Sequence, residues 1–184
     1  MLAQVGKPAP DFRLQSTKDA TSARNLGKEL SLADYRGTWL IFFFYPLDFT
    51  FVCPTEITAL SDRYDEIREL DAEVLGCSTD SIHSHWAWLN TPRDKNGIAG
   101  TKYPLVADYT KEVARAYGVL DESSGAAQRG LFIIDPDGVL RYTVVTADNV
   151  GRSVEETLRV LQALQAGGLC AAEWKPGQAL LSVG

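Results

Sequence analysis

The chain has 184 residues, of which 45% are hydrophobic and 23% are charged, and its formal net charge is −6. This size and composition are typical of one globular domain, and the negative charge argues against a general nucleic-acid-binding protein. The longest apolar run, Trp39 to Tyr45, is too short to span a bilayer. Residues 1–12 lack the basic and apolar segments of a signal peptide, so we expect a cytoplasmic protein with reduced thiols.

The first part of the chain predicts an extended segment, a buried strand and a helix. Residues 4–12 are rich in proline and glycine and should be extended, and residues 15–30 are polar, which predicts loops or short edge strands. The run Trp39 to Tyr45 is typical of a strand buried on both faces. After Pro54, apolar residues recur every three or four positions, which predicts a helix with one buried face. These residues are Ile57, Leu60, Tyr64 and Ile67.

The remaining elements predict an α/β fold. Residues 72–78 form a second apolar strand, which completes a β-α-β unit with parallel strands. The further predicted elements are helices at 80–90 and 111–119, a hairpin of strands 131–135 and 139–145, and a helix from Ser153 to Gly167. We therefore predict a central mixed sheet flanked by helices on both faces, in a single domain over residues 1–184. Its C-terminal tail, residues 167–184, carries Cys170.

Cys53 lies at the junction between the first buried strand and the helix that follows it. Proline is favoured at the first helical position, so Pro54 places Cys53 at or just before the helix start. There the helix dipole favours a thiolate, the nucleophilic form of cysteine, but contributes only about 0.3–1 kcal/mol. A nucleophile at this position would therefore also need an Arg or Lys nearby, since hydrogen bonds to charged groups contribute about 1.5–3 kcal/mol. Position alone leaves a role as a small buried hydrophobic residue equally open.

The other reactive side chains leave several functions open. Cys77 ends a predicted apolar strand and is interpreted as a core residue. His83 and His85 form an H-x-H pair, but residues two apart do not share a helix face, so surface or packing roles are favoured over a metal site. Either histidine could act as the base of a cysteine hydrolase. A thioredoxin-type dithiol oxidoreductase would need Cys-x-x-Cys, and no cysteine stands three positions from Cys53.

The segment FFFYPLDFTFVCPTE, which contains Cys53, resembles the active-site segment of the typical two-cysteine peroxiredoxins, the alkyl hydroperoxide reductase C and thiol-specific antioxidant group. The resemblance continues in order through STDSIHSHWAWLNTPR, KYPLVAD, RGLFIIDPDG and GRSVEETLRVLQALQ to GGLCAAEWKPG. It implies a thioredoxin-like fold and a thiol-dependent peroxidase that reduces hydrogen peroxide and organic hydroperoxides. No metal or other cofactor is implied.

The resemblance also implies roles for individual residues. Cys53 corresponds to the peroxidatic cysteine, whose thiolate attacks the peroxide. Cys170 corresponds to the resolving cysteine, which forms a disulfide with the Cys53 of another subunit. Pro46 corresponds to a proline that shields the sulfur from water, and Thr50 to a hydroxyl that binds the peroxide. Arg129 corresponds to the arginine that supports the thiolate, which would supply the required cation.

Further implied groups and partners complete this prediction. Arg152 corresponds to a second arginine near the pocket, and Glu56 to its carboxylate partner. The implied partners are peroxides, thioredoxin or a flavoprotein disulfide reductase as electron donor, and further copies of the chain in a homodimer and a ring of five dimers. A chaperone-like structural assembly could coexist with peroxidase activity in such a ring.

Two segments depart from the family pattern. Leu169-Cys170-Ala171 replaces the usual valine-cysteine-proline, and NGIAGTKYP, residues 96–104, stands where peroxide-sensitive members have Gly-Gly-Leu-Gly. Peroxide-sensitive members also carry a C-terminal helix that contains a Tyr-Phe pair, and this pair does not occur in the sequence. Because less packing would then slow the unwinding of the helix at Cys53, we expect Cys53 to resist over-oxidation to sulfinic acid.

Overall fold

The computed structural model describes residues 2–182, and contacts divide the chain into two compact units, Met1–Arg152 and Ser153–Gly184. The first unit contains the sheet and four helices, and the second contains the last helix and the tail. Residues 183 and 184 of the predicted tail lie outside the described residues. The single-domain organisation over residues 1–184 stays a prediction.

Seven strands and four α-helices form the described part of the first unit. The strands are β1 (Arg13–Ser16), β2 (Lys28–Ser31), β3 (Trp39–Phe44), β4 (Ala72–Ser78), β5 (Leu105–Ala107), β6 (Arg129–Ile134) and β7 (Leu140–Thr146). The helices are α1 (Cys53–Asp62), α2 (Tyr64–Glu69), α3 (Ile82–Leu89) and α4 (Glu112–Ala116). Across residues 2–182, no helix is long and apolar enough to cross a membrane.

The strands form one mixed sheet in the order β2-β1-β5-β4-β3-β6-β7. Strands β3, β4 and β5 are parallel neighbours, whereas the other pairs are antiparallel. The predicted β-α-β unit is confirmed, because β3 and β4 pair in parallel with Trp39 opposite Ala72 and with α1 and α2 between them in the chain. The predicted hairpin is also confirmed, as the antiparallel pair β6 and β7.

Strand β3 is buried on both faces, as its apolar sequence predicts. Phe42 stacks on Phe12 with ring centroids 4.8 Å apart, and meets the ring of Tyr117, at the end of α4, edge-on at 5.2 Å. Tyr45, directly after the strand, packs against Trp88 of α3 with centroids 5.9 Å apart. Because successive side chains point to opposite faces of a strand, these helices lie on opposite faces of the sheet. The predicted two-sided architecture is therefore confirmed.

Two elements differ from the sequence prediction. The helix after Cys53 is interrupted at Arg63, whose backbone has φ −99° and ψ 8°, so α1 and α2 are separate helices. Strand β5 was not predicted, because three residues are too few to show a periodic pattern. The polar stretch 15–30, by contrast, forms the short paired strands β1 and β2 at its ends, as expected.

The second unit contains one helix, α5 (Val154–Ala166). Ser153 caps its start, because the Ser153 hydroxyl oxygen accepts a hydrogen bond from the backbone N–H of Glu156 at 3.1 Å. Gly167 ends the helix with φ 70°, a left-handed conformation that glycine adopts without strain. Both predicted ends of this helix are confirmed.

Candidate active site

Cys53 is the first residue of α1, and Pro54 is the second. Proline thus stands one position later than the sequence predicted, at a place where its missing N–H still costs no intrahelical hydrogen bond. The thiol lies at the positive end of the helix dipole, and Cys53 has no exposed surface. The site therefore combines a favourable helix terminus with full burial of Cys53.

Arg129 provides the cation that a nucleophilic Cys53 requires. It is the first residue of β6 and is buried, and its Nη1 donates to Cys53 Sγ at 3.2 Å and to Glu56 Oε2 at 2.7 Å. Its Nε donates to the Asp148 carbonyl oxygen at 2.7 Å. Burial lowers the pKa of Arg129, but the hydrogen bond and charge of Cys53 and the charge of Glu56 outweigh burial and raise this pKa above its ordinary value. A fixed positive charge therefore stands at the sulfur.

Glu56 lies one turn after Cys53 on α1 and binds both buried arginines. Arg152 donates to Glu56 Oε1 from Nε at 2.7 Å and from its backbone N–H at 2.8 Å, and to Oε2 from Nη2 at 3.0 Å. Burial raises the pKa of Glu56, but the hydrogen bonds and charge of Arg152, and then the charge of Arg129, outweigh burial and leave this pKa below its usual value. Glu56 is therefore ionised at neutral pH.

The remaining contacts of Arg152 are with the protein backbone and an aromatic ring. Its Nη1 donates to the Phe44 carbonyl oxygen at 2.9 Å and to the Gly130 carbonyl oxygen at 2.6 Å. The guanidinium also lies over the Phe43 ring, 5.4 Å from its centroid, in a cation–π arrangement. Arg152 thus orients Glu56 while joining β3 to β6, and Glu56 in turn orients Arg129.

Pro46 and Thr50 lie in the loop that connects β3 to α1. Pro46 is half-buried. The Thr50 hydroxyl donates to the Leu47 carbonyl oxygen at 2.8 Å, so the hydroxyl oxygen can serve as an acceptor for another group. The structure therefore brings Cys53 and Arg129 into direct contact and places Thr50 three residues before Cys53 in the chain.

Cys170 belongs to the second unit, where it is half-buried. Its Sγ lies 3.5 Å from the Ala163 carbonyl oxygen, near the end of α5. The backbone N–H of Leu181 donates to the carbonyl oxygen of Leu169 at 2.8 Å, which closes residues 169–181 into a loop. Cys170 is the second residue of this closed loop.

The third cysteine and the two histidines have separate surroundings. Cys77 is fully buried on β4, and burial, followed by the charge of Asp108, raises the pKa of its thiol well above the usual value. His83 is exposed, whereas His85 is fully buried. Within residues 2–182, no group of three or more His, Cys, Asp or Glu side chains could hold a metal ion.

A buried polar cluster next to the active-site loop was not predicted from the sequence. His85 Nδ1 lies 2.8 Å from Asp48 Oδ2, and His85 Nε2 lies 3.1 Å from the Val106 carbonyl oxygen. The Tyr45 hydroxyl donates to Asp48 Oδ1 at 2.8 Å. Both ring nitrogens of His85 are therefore occupied, so His85 is not placed to act as a base for Cys53, which counts against a cysteine hydrolase. No sequence signal joins Asp48 to His85, because their separation matches no local motif.

A comparison with protein families decides between the remaining functions. The family model described as the AhpC/TSA family matches residues 5–143. The chain belongs to this family, the peroxiredoxins. One similar relative is the putative peroxiredoxin YkuU of Bacillus subtilis, which is 57% identical over 96% of this chain and 97% of the relative. Another is peroxiredoxin-1 of Gallus gallus, which is 51% identical over 95% of this chain and 88% of the relative.

Solved peroxiredoxin structures have the same fold. The reduced 2-Cys peroxiredoxin of Plasmodium vivax superimposes with a TM-score of 0.88 at 38% identity, over 95% of this chain and 91% of that chain. The AhpC of Mycobacterium tuberculosis superimposes with a TM-score of 0.80 at 37% identity, over 95% of this chain and 100% of that chain. The thioredoxin-like fold and the prediction of a thiol-dependent peroxidase are thereby confirmed. For a peroxiredoxin, the substrate class is peroxides and the reductant is a thiol.

Proposed function

We propose that this peroxiredoxin reduces hydrogen peroxide and organic hydroperoxides through Cys53, with Cys170 as the second thiol of the cycle. The observation that carries the proposal is the 3.2 Å contact between Arg129 Nη1 and Cys53 Sγ in a fully buried site. The start of α1 and the Arg129 guanidinium are the two groups that a nucleophilic cysteine at this position requires.

In the first step, the Cys53 thiolate attacks the terminal oxygen of the peroxide. A sulfur–oxygen bond forms while the oxygen–oxygen bond breaks, and the leaving alkoxide or hydroxide takes up a proton to become an alcohol or water. Cys53 is oxidised to a sulfenic acid and the peroxide is reduced. Arg129 stabilises both the thiolate and the charge that develops on the leaving oxygen. The Thr50 oxygen, whose own hydrogen points to Leu47, accepts a hydrogen bond from the peroxide O–H.

Three further residues support this step without reacting. Pro46 shields the sulfur from water. Glu56 holds Arg129 in place through an ion pair of 2.7 Å, and Arg152 holds Glu56 in place through a second ion pair of 2.7 Å. These three are positioning residues, whereas Cys53, Thr50 and Arg129 contact the reacting atoms.

In the second step, the Cys170 thiolate attacks the sulfenic sulfur of Cys53. A disulfide forms, and the displaced hydroxide leaves with a proton as water. Because Cys53 has no exposed surface, the first turn of α1 must unwind before a second cysteine can reach it. We place the attacking Cys170 on a second copy of the chain, within a homodimer that joins a ring of five, in the cytoplasm. A dithiol reductant, thioredoxin or a flavoprotein disulfide reductase, then restores both thiols.

The test is to add one equivalent of hydrogen peroxide to the fully reduced protein, block the remaining thiols, and analyse the product by non-reducing gel and peptide mapping. We expect a dimer-sized band that contains a Cys53–Cys170 linkage. The Cys170→Ser variant should stop at a Cys53 sulfenic acid, and the Cys53→Ser variant should leave the peroxide unconsumed. Persistence of peroxide with reduced Cys53 in the unaltered protein would refute the proposal.

A further inference from the structure

A polar cavity lies at the edge of the sheet where the parallel strands begin. Its volume is about 540 Å³, within the range of about 300–1,000 Å³ that is typical of small-molecule sites. Thr38 and Pro104 line the cavity and directly precede β3 and β5, and Glu73, which also lines it, is the second residue of β4. Cys53, by contrast, follows the carboxyl end of β3. Because β3, β4 and β5 are parallel, the cavity and Cys53 lie at opposite edges of the sheet.

Aromatic side chains from separate segments line this cavity. Tyr35 lies shortly before β3, Tyr64 belongs to α2, Trp86 belongs to α3, and Tyr103 lies shortly before β5. Tyr103 is held in place, because its hydroxyl donates to the Ile57 carbonyl oxygen at 2.8 Å and its ring packs against the Tyr64 ring with centroids 6.0 Å apart. Aromatic rings favour contact with other rings. The wall therefore suits a planar aromatic ligand.

Several hydrogen-bond donors of the cavity wall are not used within the protein. Among residues 2–182, Lys18 Nζ, the Tyr35 hydroxyl and Trp86 Nε1 have no hydrogen-bond partner. None of these atoms is fully buried, so a bound molecule can reach them. Burial, followed by the charge of Glu73, raises the pKa of Tyr35, so its hydroxyl stays protonated and can donate. The cavity therefore suits a ligand that carries acceptor oxygen atoms.

The charges of the wall favour a single negative charge on this ligand. Asp34 Oδ2 accepts hydrogen bonds from the Ser31 backbone N–H and hydroxyl at 2.7 and 2.8 Å. The other acidic side chains of the wall, and Lys102, are in ion pairs: Asp19–Lys28, Glu73–Arg68 and Lys102–Asp65. Of the described lining residues, Lys18 is thus the charged one with neither an ion pair nor a side-chain hydrogen bond. One cation matches one carboxylate, whereas three acidic side chains in the wall would repel a polyphosphate.

We propose that this cavity is a second binding site, separate from the peroxide site, and that it binds a small planar aromatic carboxylate. The aromatic side chains contact the planar part of the ligand, and Lys18, Tyr35 and Trp86 donate hydrogen bonds to it. The site uses no residue of the Cys53 network. The inference therefore does not depend on the function proposed for Cys53.

The test uses a two-ring probe, 2-naphthoate, and its uncharged counterpart 2-naphthamide. Isothermal titration calorimetry with the reduced full-length protein measures the affinity and the number of sites. We expect 2-naphthoate to bind at one site per chain with a submillimolar Kd. The amide has the same rings but no charge, so its Kd should be at least fivefold higher.

Cavity variants and matched controls locate the bound probe. Lys18→Gln and Tyr35→Phe should each raise the Kd of 2-naphthoate roughly three- to tenfold, as for the loss of one hydrogen bond. Lys7→Gln and Tyr109→Phe are the controls, because Lys7 and Tyr109 are exposed and lie outside the cavity. Both controls should keep the Kd of the unaltered protein. Cys53→Ser should also keep this Kd, because the cavity is separate from the active site.

Three outcomes would overturn the inference. These are no binding of 2-naphthoate at millimolar concentration, equal binding of the amide, and an unchanged Kd in both cavity variants. A loss of binding in Cys53→Ser would also overturn it, since the probe would then occupy the active site. Thermal unfolding shows whether each variant is folded. If Tyr35→Phe does not fold, Lys18→Gln at an exposed position still decides the outcome.

Discussion

Arg129 directs a single nitrogen, Nη1, at both the Cys53 sulfur and Glu56 Oε2. The Glu56 carboxylate therefore holds the Arg129 guanidinium in position at the sulfur. Arg152 in turn holds the Glu56 carboxylate in position. A change at any of these residues therefore alters the surroundings of the Cys53 sulfur. The first two predictions concern this chain of contacts.

Arg129→Gln removes the charge and leaves a neutral hydrogen-bonding side chain. We expect the rate constant for Cys53 with hydrogen peroxide at pH 7 to fall about ten- to hundredfold, because hydrogen bonds to charged groups contribute about 1.5–3 kcal/mol. Stopped-flow kinetics measures this rate. Arg141→Gln is the control, since Arg141 lies on the same hairpin but is exposed and pairs with Asp135. Equal rates for Arg129→Gln and the unaltered protein would contradict the assigned role.

Glu56→Gln tests the buried ion pairs through their dependence on pH. The pKa of Glu56 is lower in the folded protein than in the unfolded chain, so its charge stabilises the fold above the unfolded value of about 4.3. This contribution to stability is lost as the pH falls through the lower pKa that Glu56 has in the folded protein. The glutamine variant leaves two buried guanidinium groups without their anion, which costs about 3–5 kcal/mol.

We therefore expect Glu56→Gln to have a lower Tm than the unaltered protein at pH 7, with a difference that narrows below about pH 4. Thermal unfolding between pH 7 and pH 3 measures both curves. Glu29→Gln, which removes an exposed ion pair with Arg13, should leave the Tm at pH 7 unchanged. A constant Tm difference across this pH range would show that the charge of Glu56 is not the cause.

At the scale of elements, Cys77 lies on β4, the central strand of the sheet. Cys77 has no exposed surface, and burial and Asp108 raise the pKa of its thiol, so the reactive thiolate is scarce there. We expect iodoacetamide at pH 7.5 to label the half-buried Cys170 in the folded reduced protein and to label Cys77 only after unfolding. Mass spectrometry of the digested protein measures both sites. Labelling of Cys77 at the rate of Cys170 would indicate that β4 opens readily.

Elements with a strong apolar pattern were predictable from the sequence. Strand β3 is continuously apolar, and α1 and α5 have proline, serine or glycine signals at their ends, so their positions follow from local rules. Strand β5 was missed because it is held by its neighbours rather than by its own pattern. The Asp48–His85 pair and the hydrogen bond from the Asn96 side chain to the Thr50 carbonyl oxygen were missed for a related reason, since each joins residues far apart in the chain.

At the scale of the whole molecule, the family was the most predictable property, because its motifs occur in order along nearly the whole chain. The contact between Cys53 and Arg129 was anticipated from that resemblance, and from the need for a cation, but its geometry required the fold. The pairing of Cys53 with Cys170 stays a prediction, because spacing in sequence does not determine disulfide connectivity.

The Cys53 thiol and the three charged side chains of its network, Glu56, Arg129 and Arg152, also have a consequence for the direction of the proposed cycle. With Cys53 as a thiolate, the two negative charges of Cys53 and Glu56 balance the two positive charges of Arg129 and Arg152. Oxidation to the neutral sulfenic acid removes one negative charge and leaves this buried group with a net charge of +1. An unbalanced buried charge is unfavourable, so the product of the first step weakens the folded arrangement that formed it. Charge balance alone thus favours unwinding after oxidation and refolding after reduction.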